Sequence, residues 1–229
     1  MEVLLKIINP MMINKTLGIF IVVVSFLMIG CGGLERNSKA TYFLLDTSGS
    51  YPDELKKAQS FINYLIANYK PNDSFSVARL DSSLFSEQDV VTSADFAFRP
   101  SLANSQKRVV ADAVNTFVKT VDNSAYSDVG GAFIYAVEHL RLAPSGHKTI
   151  MIFTDLFDSV PVELVEDSKV DFTGIKVVTI SAPDYSQEQQ KSYRLLQGLT
   201  AWEQLVTSRG GTWQVVFDLS EKEKLLPSI

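Results

Sequence analysis

The sequence predicts an α/β protein with a doubly wound, mostly parallel six-stranded sheet and helices on both faces. The first observation is that short runs rich in β-branched and aromatic residues alternate with longer segments whose apolar residues recur at helical spacing. The second is that three of the short runs are almost continuously apolar, which is typical of parallel strands covered on both faces. Strands joined through helices then require right-handed crossovers, which place helices on both sides of the sheet.

Six segments are predicted as strands, and helical patterns separate most of them. Five of these segments are well defined, at residues 41–46, 74–81, 148–155, 175–181 and 212–218. The segment at residues 89–98 alternates less regularly between apolar and polar residues, and we therefore expect it to form an edge strand.

Four helices are predicted from apolar residues that recur three or four positions apart. The first follows Pro52, where a proline and two acidic residues suit a helix start, and it ends at Pro71. The second covers about 106–121, and the third starts near Asp128. The fourth covers about 187–209.

The fourth predicted helix ends in a glycine pair and carries an aromatic residue on its apolar stripe. Gly210 and Gly211 are expected to form the C-cap and the turn that follows it. Trp202 is expected in the core or at a contact between helix and sheet. The predicted domain, residues 41–218, ends soon afterwards, and residues 219–229 are expected to form a short terminal helix and tail.

Composition limits the possible functions. The chain has 229 residues, of which 46% are hydrophobic and 21% charged, as in ordinary globular proteins. Its formal net charge of −5 argues against nucleic acid as a partner. Cys31 is the single cysteine, so an intramolecular disulfide and a cysteine-based zinc cluster are excluded. With only two histidines, the chain has few soft ligands for a transition metal.

The N-terminus has the pattern of an export signal. Residues 17–29 form an apolar run that is too short to span a membrane and is preceded by Lys15. Its end, Met28-Ile29-Gly30-Cys31, resembles the lipobox of bacterial lipoproteins. This resemblance implies a signal peptide at residues 1–30, a lipidated Cys31 and a tether to residue 40. The exported domain would then face the periplasm or cell surface; an uncleaved anchor or a free thiol at Cys31 are the alternatives.

Oxygen-bearing side chains are concentrated where predicted strands end. Asp46, Ser48 and Ser50 lie in the loop that follows the first strand, and Asp155 ends the strand at 148–155. Ser127 precedes the third helix and is therefore expected in the same layer of loops. Open α/β sheets bind ligands at this edge. Hard cations such as Mg²⁺ take oxygen ligands, so these residue types are suited to a divalent metal.

These segments resemble the von Willebrand factor A domain and its metal-ion-dependent adhesion site. The family places a D-x-S-x-S loop, a threonine before a later helix and an aspartate at the end of the fourth strand around Mg²⁺ or Mn²⁺. The resemblance implies direct coordination by Ser48, Ser50 and Ser127, and water-mediated contacts from Asp46 and Asp155. Ser127 replaces the usual threonine but keeps its hydroxyl.

The resemblance also implies a function in protein binding, without catalysis. Neutral hydroxyl ligands leave the ion electrophilic, so an acidic side chain of a protein partner can complete its coordination. The sequence contains no nucleophile elbow, phosphate-binding loop or dinucleotide fingerprint. Taken singly, the serines could instead cap helices, and Asp155 could be a turn residue. A metal-independent scaffold or assembly factor is therefore the alternative function, and a metal-dependent hydrolase is the third.

Overall fold

The six expected strands form one mixed sheet in the order β3-β2-β1-β4-β5-β6. This computed structural model describes residues 37–47, 52–80, 84–121, 128–154, 169–180, 189–217 and 219–224. Within them the strands are β1 (Lys39–Asp46), β2 (Ser74–Leu80), β3 (Val90–Asp95), β4 (His147–Phe153), β5 (Ile175–Ile180) and β6 (Thr212–Val216). All neighbouring strands are parallel except β3, which pairs antiparallel with β2 at the edge. The predicted fold class is confirmed.

The described helices follow the predicted order. They are α1 (Pro52–Asn68), α2 (Pro100–Thr120), α3 (Val129–Leu142) and α4 (Gln189–Ser208), with short 3₁₀ turns at Glu87–Asp89 and Leu219–Lys224. None of these helices is long and apolar enough to cross a membrane. The predicted start of the second helix was wrong, because α2 begins at Pro100. Proline is favoured at a first helical position since it needs no backbone hydrogen bond there.

Side chains of β1 alternate between two apolar layers. Tyr42 and Leu44 face a layer formed with α3 and α4, whereas Phe43 and Leu45 face a layer formed with α1 and α2. Because successive side chains of a strand point to opposite faces, one central strand contributes to both cores. Helices therefore cover both faces of the sheet, as the apolar strands predicted.

The direction of α3 follows from contacts near its C-terminus. His139 Nε2 lies 3.2 Å from Oγ of Ser76, near the start of β2. Nζ of Lys148, near the start of β4, donates to the carbonyl of Arg141 at 3.3 Å. The C-terminus of α3 thus lies at the edge of the sheet where the parallel strands begin. Its N-terminus lies at the other edge, where those strands end.

The end of α4 is closed by the two glycines. Gly210 has φ 81°, and the amide of Gly211 donates to the carbonyl of Val206 at 3.0 Å. Earlier in the helix, Trp202 is fully buried and stacks on Phe133 with ring centroids 4.7 Å apart. The expected C-cap and the expected core position of the tryptophan are both confirmed.

A buried aspartate joins the end of α1 to the start of β1. Asp73 is 3% exposed, and its carboxylate accepts hydrogen bonds from the amides of Lys39 at 2.8 Å and Lys70 at 2.7 Å. Asn72, just before it, has φ 71°. Asparagine tolerates this left-handed conformation, so the chain can turn between α1 and β2.

We expect Asp73→Ala to lower the free energy of unfolding by about 2–4 kcal/mol, because two amides would lose a charged acceptor. Asp73→Asn keeps one acceptor oxygen and should cost about half as much. Urea unfolding of both variants measures these values. Equal stability of Asp73→Ala and the parent chain would contradict a structural role for this carboxylate.

Candidate metal centre

The structure describes one of the five predicted metal ligands, Asp46. The other four, Ser48, Ser50, Ser127 and Asp155, lie outside the described residues, as do Cys31 and the predicted signal peptide. The described residues Thr47, Asp128 and Thr154 are, however, direct neighbours of Ser48, Ser127 and Asp155 in sequence. Their contacts define the framework from which the three predicted site segments depart.

Asp46 is a buried carboxylate at the C-terminal end of β1. It is 1% exposed, and its Oδ2 accepts a hydrogen bond from Oγ1 of Thr154 at 2.5 Å. Thr154 is 4% exposed and directly follows β4. The register of β1 and β4 pairs Leu45 with Phe153, so Asp46 and Thr154 are the next residues of two adjacent strands. The fold therefore brings together two of the segments that the sequence had singled out.

The backbone on either side of this hydrogen bond is fixed to the flanking strands β2 and β5. The amide of Thr47 donates to the carbonyl of Leu80 at 3.3 Å, and Thr47 is fully buried. The amide of Thr154 donates to the carbonyl of Ile180 at 3.2 Å. Both strand ends therefore remain in the hydrogen-bonded sheet up to the residues that precede Ser48 and Asp155. The sheet therefore fixes the backbone positions of Thr47 and Thr154, from which the two loops continue.

Asp128 holds the start of α3 and ties it to the loop after β2. Its Oδ1 accepts from the amide of Gly131 at 2.8 Å, which makes Asp128 the N-cap. Its Oδ2 accepts from the amide of Phe85 at 3.0 Å. The alternative in which Ser127 caps this helix is therefore wrong, because Asp128 already occupies the capping position. The corresponding alternative for Ser48 and Ser50 falls outside the described residues.

The described part of this edge fits a hard cation. A buried carboxylate is costly unless donors or a positive charge stabilise it, and a cation at this edge would supply positive charge next to Asp46. No group of three or more Asp, Glu, His or Cys side chains suited to a metal occurs among the described residues. The predicted set has only two such residues, Asp46 and Asp155, and relies on hydroxyls for the rest.

Sequence reasoning missed the supporting residues of the site. Thr154 carries no local signal for this role, because its bond to Asp46 joins positions 108 residues apart. The role of Asp128 had a local signal, because an aspartate three residues before a helical amide is typical of an N-cap. The contact of Asp128 with Phe85 had no such signal, since the two residues are far apart in sequence.

We expect Thr154→Val to lower the free energy of unfolding by about 1–3 kcal/mol, because it removes a donor to a buried carboxylate while keeping the side-chain shape. Thr154→Ser keeps the hydroxyl and serves as the matched control. Thermal unfolding measures the difference. A valine variant as stable as the serine variant would show that this hydrogen bond contributes nothing measurable.

Gly131→Ala should disturb the start of α3. A Cβ at this position would lie 2.2 Å from Oδ2 of Asp128, the oxygen that accepts from Phe85. The cap must then shift, and we expect a loss of about 1–2 kcal/mol in stability by urea unfolding. Ala132→Gly, one residue further along α3, tests backbone flexibility without crowding the carboxylate. An unchanged free energy of unfolding for Gly131→Ala would show that the Asp128 cap can shift without measurable destabilisation.

Comparison with known proteins identifies the fold family. A family model described as von Willebrand factor type A domain matches residues 41–206. A search of curated protein sequences finds no match. Among solved structures, a von Willebrand factor type A protein from Catenulispora acidiphila is similar at a TM-score of 0.54 and 15% identity. That match covers 84% of this chain and 41% of the Catenulispora chain, so this chain spans less than half of its length.

Two further structures are similar over most of this chain. BatB, a conserved hypothetical protein from Bacteroides thetaiotaomicron, has a TM-score of 0.51 and 14% identity, over 83% of this chain and 96% of that one. The PilB minor pilin from Streptococcus sanguinis also has a TM-score of 0.51 and 14% identity, over 86% and 61% of the two chains. At such low identity these matches show the fold alone. The family match covers well over half of the sequence, and this chain therefore belongs to the von Willebrand factor type A domain family.

Proposed function

We propose that this protein is an exported, lipid-anchored module that binds a protein partner through a divalent cation and performs no catalysis. The cation is Mg²⁺ or Mn²⁺, and an acidic residue of the partner completes its coordination. The hydroxyls of Ser48, Ser50 and Ser127 would hold the ion directly, with Asp46 and Asp155 acting through water. The membrane contact is the lipid on Cys31, and nucleic acid is not a partner.

The observation that supports this proposal is the buried pair of Asp46 and Thr154 at the end of two adjacent strands. The threonine hydroxyl orients the carboxylate, and both residues directly border segments rich in oxygen ligands. This edge is also where the strand order reverses about β1, which is the usual ligand-binding position of open α/β sheets.

The chemistry of the proposed ligands accounts for the kind of partner. Three neutral hydroxyls and two carboxylates that act through water leave much of the positive charge of the ion uncompensated. A carboxylate of the partner then gains a strong electrostatic interaction that an amide would lack. Recognition would therefore require both the metal and an acidic side chain.

The position of β1 supports access of a partner to the metal. The strand begins at Lys39, shortly after the tether, and reaches Asp46 after eight residues, or about 25 Å. The tether would thus join the sheet at one edge, and the candidate metal centre would lie at the other. A partner can approach the metal without competing with the attachment point.

Titration calorimetry of the full chain in detergent tests the metal directly. We expect Mg²⁺ and Mn²⁺ to bind with roughly micromolar to millimolar affinity, and Asp46→Asn to weaken binding by at least about tenfold. Asparagine keeps the size of the side chain and an acceptor for Thr154 but removes the charge. Asp112→Asn, an exposed position on α2, is the matched control and should bind as the parent chain does.

Unfolding curves of each variant separate loss of the site from loss of the fold. Failure of the parent chain to bind either ion, with a normal unfolding transition, would contradict the metal site. A metal-independent scaffold of the same fold would then be the favoured function. Hydrolysis of phosphate, ester or peptide substrates by the purified chain would instead contradict the absence of catalysis.

A further inference from the structure

The edge of the sheet opposite Asp46 carries an open groove. Its volume is about 310 Å³, and it lies among the starts of β1, β4, β5 and β6. Three lysines and one histidine line it, namely Lys39, Lys148, Lys176 and His147. The remaining described residues around it are glycines, threonines and one isoleucine, so no acidic side chain lines the groove among them.

Strand pairing accounts for the clustering of three of these side chains. Lys39 is paired with His147, and Lys176 is paired with Thr149. Residues 147 and 149 of β4 share one face of the strand, so Lys39, His147 and Lys176 lie on the same side of the sheet. Adjacent strands are only about 4.8 Å apart, which concentrates the positive charge.

Two described acidic residues lie near this edge, and neither is among the residues that line the groove. The carboxylate of Asp73 accepts from the backbone amides of Lys39 and Lys70. Asp171 forms an ion pair with Arg141 at 2.5 Å and accepts from Thr173. The described lining of the groove thus carries basic side chains and no acidic one, although the net charge of the chain is −5.

Two lysines of the groove are partly removed from water. Burial lowers the pKa of Lys176, and burial together with the nearby Arg141 lowers the pKa of Lys148. A lowered lysine pKa means that the charged form is less stable than it is in water. A bound anion would stabilise that charged form and so offset part of the desolvation cost.

We propose that this groove docks the domain onto anionic phospholipid headgroups of the membrane that holds Cys31. The inference rests on the lipid anchor of the proposed function but not on the metal. Only residues 32–38 separate Cys31 from Lys39. Even fully extended, this tether spans at most about 28 Å, so the groove is held within reach of the bilayer surface.

Docking at this edge would set the orientation of the whole domain. Each lysine close to an anionic surface strengthens association about fivefold, and the attraction declines within a Debye length. With the start of β1 held against the headgroups, Asp46 at its other end points away from the membrane. The candidate metal centre would then face partners outside the bilayer. The domain would keep one orientation instead of rotating freely on its tether.

Fluorescence on reconstituted vesicles tests the docking. The full lipidated chain carries an environment-sensitive probe on Thr212→Cys, an exposed position at the groove, or on Thr116→Cys, an exposed position on α2. Vesicles contain phosphatidylcholine with or without phosphatidylglycerol, and a quencher is attached to the headgroups. We expect quenching at position 212 only with phosphatidylglycerol, and none at position 116.

Charge variants identify the residues responsible. Lys148→Glu with Lys176→Glu should reduce the quenching that depends on phosphatidylglycerol by more than about fivefold. Lys148→Gln with Lys176→Gln, a milder pair, should reduce it in the same direction if the glutamate pair perturbs folding. Lys57→Glu with Lys119→Glu changes two exposed lysines on α1 and α2 and should leave the quenching unchanged.

Three results would overturn the proposal, and they differ in what they imply. Quenching that is equal in both vesicle types, or equally reduced by the Lys57 and Lys119 variant, would contradict docking through the groove while leaving the anchor intact. A probe response to glycerol phosphate in detergent, equal to that with vesicles, would identify a site for soluble anions. Failure of the chain to float with either vesicle type would contradict the anchor itself.

Discussion

The parallel pairing of β1 with β4 is the contact on which the other features of this structure depend. It joins the two halves of the sheet, because β2 and β3 lie on one side of it and β5 and β6 on the other. It also places Asp46 beside Thr154 at the edge where both strands end. A buried carboxylate can be tolerated there because the neighbouring strand supplies a hydroxyl donor of fixed position.

The two edges of the sheet differ chemically, although the same strands form both. A buried carboxylate and the capped start of α3 lie where the strands end. Where the strands begin, lysines of three strands line an open groove. A parallel sheet produces this separation because all its strands share one direction, so residues at equivalent positions collect at one edge.

The success and failure of the sequence predictions have local physical causes. Strands were predicted well because continuous apolar runs are the direct consequence of burial on both faces. The start of α2 at Pro100 was missed because only the small Ala103 is buried among residues 101–105, so the first turns show little apolar periodicity. The sequence did not single out Asp128 as the helix cap, because the neighbouring Ser127 is an equally favourable capping residue.

The sequence by itself determined the fold class, the order of the elements and the residue types offered as metal ligands, since periodicity and strand-end chemistry are local properties. Only the tertiary structure decided which residues support the candidate site. Thr154 meets Asp46, and Phe85 meets Asp128, across separations of 108 and 43 residues. The basic groove likewise exists only once β1, β4 and β5 are in register, because strand pairing alone places Lys39 near Lys176.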